Sequence, residues 1–270
     1  MPRYRLTIEY AGTRYSGWQI QQNARTIQGE LLRAIREATH GDPLDFQGSG
    51  RTDAGVHAVG QVAHLDLPRA TAPDLLRRQV NELLPADINV LAVEPVPHRF
   101  HARRDARSRS YLYQVARRRT ALSKPFVWWV KDALDVRAMR DAAAALAGRH
   151  DFRSFTDSDP EETSTIVHLD AVALQEEGDL VLVRVSGSHF IWKMVRRIVG
   201  VLVEAGLGRL TRKAVAGFLE RASPVPARLT APASGLFLER VVYPGDDDEA
   251  PLVAVTPLPR PAPGGGLAGR

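Results

Sequence analysis

The sequence predicts an α+β fold, two βαββαβ halves packed side by side around a central cleft. Three observations predict it. Segments of period two and segments of helical period alternate along the chain, in an order that occurs twice. Hydrophobic residues make up 44% of the 270 residues and charged residues 25%, ordinary globular usage in a chain long enough to bury a substantial core. No cysteine occurs, so neither disulfides nor a thiolate metal site shapes the fold.

Residues 3–10, RYRLTIEY, alternate polar and apolar as a half-buried strand does. The stretch GTRYSGWQ at 12–19 is rich in glycine and aromatics and reads as a loop. From Thr26 the period becomes helical, with Ile27, Leu31, Ala34, Ile35 and Ala38 on one face and a stop at His40-Gly41. Leu44–Ser49 is short and strand-like. Residues 50–58 have two glycines and no apolar period, and Val59–Leu67 alternates again. Pro73 opens a helix running to Leu84, and Ile88–Val93 is the next strand.

The second half reads similarly. Arg109–Ala116 is a strand, the following FVWWV is a strand or a buried loop, and Asp135–Ala147 is an alanine-rich helix. His168–Gln175 and Leu180–Ser186 form a hairpin around Glu177-Gly178. Phe190–Ala205 and Thr211–Arg221 are helices, and Leu236–Tyr243 is a last strand. Both halves then follow the split βαβ order of ferredoxin-like folds, the second with one extra helix. No sequence repeat is visible between them, so any duplication is one of topology. The expected units are 1–105 and 106–245, followed by a tail, 246–270. Its DDDE run and PAPGGGLAG are of low complexity, and it is expected to be disordered.

Lys and Arg number 36 against 31 acids, a net +5. The tail carries −2 of this and the body +7. Eight arginines fall between Arg99 and Arg119 against the single acid Asp105. Arginine clustered beside aromatics is either the footprint of a phosphate-binding surface or an arginine-rich solvated face. The opening MPRYRLTIEY lacks the charged-then-apolar design of a leader, and no apolar run approaches the ~18 residues of a membrane span. A cytoplasmic protein is expected.

The most unusual segment is GSGRTDAGVHA at 48–58. It either presents Arg51, Thr52 and Asp53 on a rigid strand-to-strand loop or folds them into an Asx/ST turn with Arg51 solvated. His57, His64 and Asp66 invite a metal reading, since an H-x-D pair with a nearby imidazole can ligate zinc. Val62, His64 and Asp66 also share the strand face opposite the apolar one, which suits a polar solvent or ligand face equally. No phosphate-cradling loop, dinucleotide fingerprint or nucleophile elbow is present. In the helix from Phe190, Lys193, Arg196 and Arg197 crowd the end where the helix dipole disfavours cations. They have an anionic partner, Asp53 or a phosphate, or they snorkel at a surface edge.

GSGRTDAGVHAVGQVAHLDL at 48–67 resembles the signature loop and strand of the tRNA pseudouridine synthase A (TruA) family. GWQIQ at 17–21, FHAR at 100–103, RSYLY at 109–113, KMVRRIVG at 193–200 and GLFLERVVYP at 235–244 are similar to family elements, in order across residues 4–244. The resemblance implies isomerisation of uridine to pseudouridine at positions 38, 39 and 40 of the tRNA anticodon stem-loop, by a homodimer with no cofactor and no metal. It puts Asp53 on the catalytic nucleophile, Arg196 on the basic residue paired with it, and Tyr111 on the tyrosine that stacks on the flipped uracil. It also puts Arg51 against RNA beside the vacated base, and makes Arg14, Arg103, Arg107 and Arg109 candidates for phosphate contacts.

The chemistry suits those residues, because a carboxylate is a covalent nucleophile, the target base must leave its stack and water must be kept out. One departure stands out. Family members carry a basic residue in the loop before the strand that starts near Thr165. Here residues 157–165 read DSDPEETST, which leaves that RNA contact unsupported. Two other readings are a non-catalytic RNA-binding protein that keeps the fold, and a metal-dependent nuclease using Asp53, His57, His64 and Asp66.

Overall fold

The computed structural model describes residues 1–159, 163–247 and 249–259. Its first elements are β1 (Arg3–Tyr10), α1 (Ile27–Thr39), β2 (Asp45–Gly48), β3 (His57–Asp66), α2 (Pro73–Leu83) and β4 (Ile88–Val96). They continue with β5 (Ser108–Ala116), β6 (Trp128–Trp129), α3 (Val136–Ala143), β7 (Gly148–Asp151), β8 (Ile166–Glu177) and β9 (Leu180–Gly187). The last are α4 (Met194–Gly206), α5 (Arg212–Glu220), α6 (Val225–Arg228) and β10 (Leu236–Val242).

Local chemistry accounts for the helix starts. The Thr26 hydroxyl accepts from Gly29 N at 3.2 Å, Asp135 accepts from Arg137 N and Ala138 N, and Thr211 accepts from Ala214 N. Each such cap stabilises its helix by about 1 kcal/mol. Pro73 stands in the first turn of α2, where its missing N–H is not needed. The apolar face expected of α1 is buried at Ile27, Leu31, Ala34 and Ile35, and α2 buries Leu76 and Val80.

The strands order as β4-β1-β3-β10-β5-β9-β8-β7, with β2 paired to β3 and β6 to β5 off that path. Within it, β4-β1-β3-β2 and β10-β5-β9-β8 repeat one order, that of the βαββαβ motif. The halves do not keep separate sheets. β2 covers only the Ala63–Asp66 end of the β3 edge, and β10 runs parallel to the other end, Phe237 opposite His57 and Leu238 opposite Ala58. An unpaired edge would leave backbone N–H and C=O groups without partners, and fusing the halves into one ten-stranded sheet removes it.

Other expectations change as well. α4 begins at Met194 and not at Phe190, because Lys193 takes the left-handed conformation, φ 61°, and turns the preceding chain out of the helix. The FVWWV stretch becomes a short 3-10 turn and the two-residue β6. The face of β3 carrying Val62, His64 and Asp66 is buried, not a solvent or ligand face. Arg3 grips Asp66 with two 2.6 Å bonds, and Ala102 N donates to His64 Nδ1 at 3.2 Å.

The tail also differs. Leu252, Ala254, Val255 and Leu258 pack over Leu112, Ala116, Val127, Leu180 and Leu182. Gln114 Nε2 donates to Thr256 Oγ1 at 2.7 Å, and Thr256 N donates back to Gln114 Oε1 at 3.1 Å. The acidic and glycine-rich flanks hide an apolar stretch that covers the outer face of β5 and β9, so residues 249–259 are not a disordered tail. Residues 260–270 lie outside the described residues.

Candidate active site

The loop between β2 and β3 sits at the seam where β10 joins the halves. It is buttressed by the GWQ segment beneath it. Trp18 N donates to Thr52 O at 3.0 Å, Gly55 N to Tyr15 O at 3.3 Å and Gly12 N to His57 Nδ1 at 3.1 Å. The approach is so close that a Cβ on Gly17, φ +90°, would stand 2.6 Å from Thr52 O, a position only glycine fills. Fully buried Gln61 accepts from the Ser49 hydroxyl at 2.8 Å and donates to Gly50 O at 3.0 Å, while the Thr52 and Tyr10 hydroxyls share a 2.9 Å bond. A buried polar network satisfied in this way holds its members in one geometry.

The Asp53 side chain is therefore not spent on a local turn. Its Oδ2 accepts from Arg196 Nη1 at 3.4 Å, across 143 residues of chain. Arg196 is itself anchored, its Nε donating to Ala231 O at 2.8 Å and its carbonyl accepting from Ala231 N at 3.0 Å. Asp53 and Arg196 line a cavity of about 950 Å³ together with Arg51, Tyr111, Arg103, Trp192 and other residues. Tyr111, on β5 opposite Leu238, is 8% exposed and meets Phe190 edge-on at 4.9 Å. Burial pushes its phenol up to about 12, with Arg109 opposing and the Asp53 charge adding to the rise, so it stays protonated and neutral.

The expected arginines separate into three kinds. Arg51 is exposed at the cavity, its Nε donating to Gln19 Oε1 at 3.0 Å. Arg103 is exposed and lines the cavity, whereas Arg14 and Arg107 are exposed away from its wall. Arg109 differs from the expectation of a phosphate contact. It is buried, and its terminal nitrogens donate to the carbonyls of Ser49 (3.0 Å), Arg103 (2.7 Å), Ser188 (2.9 Å) and Ala106 (3.3 Å). It ties the stem of the loop between β2 and β3 to the arginine-rich segment and to the end of β9.

Each cation at the start of α4 has a carboxylate partner. Arg196 has Asp53, while Arg197 and Lys193 (3.0 Å) both hold Asp157. Arg197, and then Lys193, keep the Asp157 carboxyl below the usual carboxylate range. The acidic loop thus begins as an internal counter-charge for α4, and residues 160–162 lie outside the described residues.

The H-x-D residues are otherwise engaged. His57 accepts from Gly12 N and contacts Pro125 O at 3.0 Å through Nε2, His64 Nε2 contacts Asp45 at 2.9 Å, and Asp66 holds Arg3. Among the described residues no group of three or more His, Cys, Asp or Glu could hold a metal ion, which removes the ligand set of the nuclease reading. Sequence reasoning did not single out Gln19, Gln61, Phe190 or Trp192 as site residues. The signal for Gln61 is a polar residue inside a strand buried on both faces, and that burial shows only in the fold.

A ferredoxin-like duplication with one carboxylate–guanidinium pair in an arginine-lined cavity fits an enzyme that acts on RNA. The sequence model of a family described as tRNA pseudouridine synthase matches residues 6–105 and 142–244, stretches that hold Arg51, Asp53 and Arg196. A tRNA pseudouridine synthase A of Beijerinckia indica is 42% identical over 252 residues, 92% of this chain and 96% of that protein. One of Maricaulis maris is 42% identical over 248 residues, 91% of this chain and 99% of that protein. A solved Cbf5–Nop10–Gar1 complex aligns with 74% of this chain and 45% of that chain, at 12% identity and a TM-score of 0.35. The chain belongs to the tRNA pseudouridine synthase family.

Proposed function

We propose that this protein isomerises uridine to pseudouridine in tRNA, with Asp53 as the nucleophile and the anticodon stem-loop, positions 38, 39 and 40, as the target. The observation that carries the reading is the Asp53 carboxylate, held 3.4 Å from Arg196 Nη1 on the wall of a cavity of about 950 Å³. The site residues are those the family resemblance implies, and the places of Asp53, Arg196, Tyr111, Arg51 and Arg103 on that wall support them.

A uridine flipped out of the RNA enters the cavity, and the Tyr111 ring stacks on its uracil. Arg196, 3.4 Å away through Nη1, orients the Asp53 carboxylate. Asp53 bonds to ribose C1′ or to uracil C6, the N1–C1′ bond breaks, the uracil turns in place, C5 bonds to C1′, and the bond to Asp53 breaks again. N1 gains a proton and C5 loses one to solvent, so substrate and product have the same atoms. Arg51 contacts the RNA beside the vacated base, and Arg103 and Arg107 contact phosphates, which positions the substrate without reading its sequence. The chain acts as a cytoplasmic homodimer in this reading, with residues 1–105 carrying the nucleophile and residues 106–245 carrying Tyr111 and Arg196. The body charge of +7 suits a polyanionic partner. Among the described residues, no helix is long and apolar enough to cross a membrane.

Asp53→Asn tests the reading directly. Tritium release from tRNA labelled at uridine C5 is expected to vanish, while tRNA affinity stays within about threefold, since the loop geometry is set by its buttress and not by the carboxylate. Undiminished tritium release by the variant would overturn the assignment.

A further inference from the structure

The cavity rim carries an aromatic residue that the proposed chemistry does not use. Trp192 is 52% exposed and lines the cavity beside Lys193. Among the described residues the other exposed tryptophan, Trp129 on β6, lies away from the cavity wall. Local structure explains how Trp192 is presented. Phe190 packs on Tyr111, Ile191 is buried, and left-handed Lys193 ends the segment before α4, which leaves the indole facing outward. The Lys193 ammonium lies 4.3 Å from the centre of the Trp192 ring and is itself held by Asp157 at 3.0 Å. The indole thus has a cation on one side, a contact that favours a fixed ring, while half of the residue stays open.

We propose that Trp192 is a stacking platform for a nucleobase next to the one that enters the cavity. The inference rests on the reading that the cavity takes a uridine from tRNA. Once one base is flipped out, its neighbour loses a stacking partner, and an open indole on the rim replaces that lost surface. Aromatic stacking is tolerant of sequence, because every base has a π-face, so the platform adds affinity without choosing the flanking base. The rim favours RNA over a protein partner on two grounds. Arg51, Arg103 and Arg196 stand on the same wall, and among the described residues Trp192 is the one exposed large hydrophobic that lines it. Contiguous exposed apolar patches of several hundred Å² are what mark a protein-docking face.

The test compares Trp192→Ala, Trp192→Phe and, as a matched control, Trp129→Ala, in steady-state pseudouridine formation on a tRNA substrate. Trp192→Ala is expected to raise KM roughly 5- to 100-fold with kcat within twofold, the split that marks binding made equally in ground and transition states. Trp192→Phe returns KM to within about threefold of the parent, and Trp129→Ala leaves it unchanged. Stem-loop substrates with an abasic nucleotide at each flanking position identify the stacked base. At one position the loss caused by the abasic site and the loss caused by Trp192→Ala do not add. A KM within twofold for Trp192→Ala, no rescue by phenylalanine, additivity at every flanking position, or a changed oligomeric state would each overturn the proposal. Failure of the parent enzyme to form pseudouridine would instead overturn the function reading on which it rests.

Discussion

Gly200→Ala is the most informative perturbation of the frame that holds the site. Gly200 lies in the middle of α4, where the helix rests against the backbone of 229–231. A Cβ built on it would stand 1.6 Å from Leu229 O, and real Cβ atoms do not come below 3.0 Å. The helix and the 229–231 segment must therefore part by more than an ångström. Overpacking of this kind costs about 1–3 kcal/mol. The two bonds between Arg196 and Ala231, at 2.8 and 3.0 Å, would break, at about 1 kcal/mol each. Alanine in a helix interior returns about 1 kcal/mol. The net loss is about 2–4 kcal/mol, a fall in Tm of about 5–15 °C for a chain of this size.

The same displacement reaches the chemistry. The Asp53–Arg196 contact of 3.4 Å already stands at the limit of a hydrogen bond, and a misplacement of about 1 Å costs on the order of 100-fold in rate. Thermal unfolding and single-turnover tritium release would be measured on Gly200→Ala and on Gly217→Ala. Gly217 lies within α5 and a Cβ there meets nothing within 4 Å, so this second substitution is expected to stabilise by about 0.5–1 kcal/mol and leave turnover intact. Equal effects of the two substitutions would refute the packing argument. A destabilised Gly200→Ala with full single-turnover rate would refute the claim that the α4 contact positions Arg196.

The remaining predictions concern charge. Burial lowers the His57 pKa, and also those of His101 and His189, so the unfolded chain takes up these protons first. Stability is then full above about pH 6.5 and falls as pH drops below it. His57→Gln removes one titrating group and is expected to flatten the urea-measured stability slope between pH 7 and 5, and an unchanged slope would exclude His57 as a contributor. Arg103→Ala with Arg107→Ala is expected to lower the salt dependence of tRNA binding by about 1.4–1.8 in log–log slope, and a parental slope would count against both contacts. Arg109→Met should behave oppositely, costing about 2–3 kcal/mol as buried carbonyls lose their donor, with the salt slope kept.

Elements whose burial repeats with a local period were legible in the sequence. β1 and α1 each place a simple apolar stripe on the core, and Thr26, Pro73, Asp135 and Thr211 mark helix starts within a residue or two. What escaped depends on distant partners. β7 is the polar tetrapeptide GRHD, a strand because β8 lies beside it. The start of α4 escaped because Phe190 and Ile191 continue the apolar period across a break that only the φ of Lys193 reveals. Residues 249–259 escaped because composition averaged an apolar cover together with its acidic and glycine-rich flanks.

The site divides along the same line. The glycines of the 48–58 loop announce close backbone approach, and a crowd of cations at the unfavourable end of a helix calls for carboxylates, which α4 finds in Asp53 and Asp157. Arg109 and Arg103 stand six positions apart in one arginine-rich run, and nothing local separates a brace from an open cation. What separates them is the seam. β10 lies between β3 and β5 and joins them, so Arg109 near the start of β5 falls under the loop between β2 and β3 and meets four carbonyls that need donors, while Arg103, lying outside the sheet, keeps its side chain open to the cavity. A guanidinium committed to backbone carbonyls is the rigid support a catalytic geometry requires, and an exposed one is what a sequence-independent phosphate contact uses. Fusing the halves at β3 and β10 therefore gives the two arginines different surroundings, which is why the charge of the body cannot be read as RNA-binding charge residue by residue.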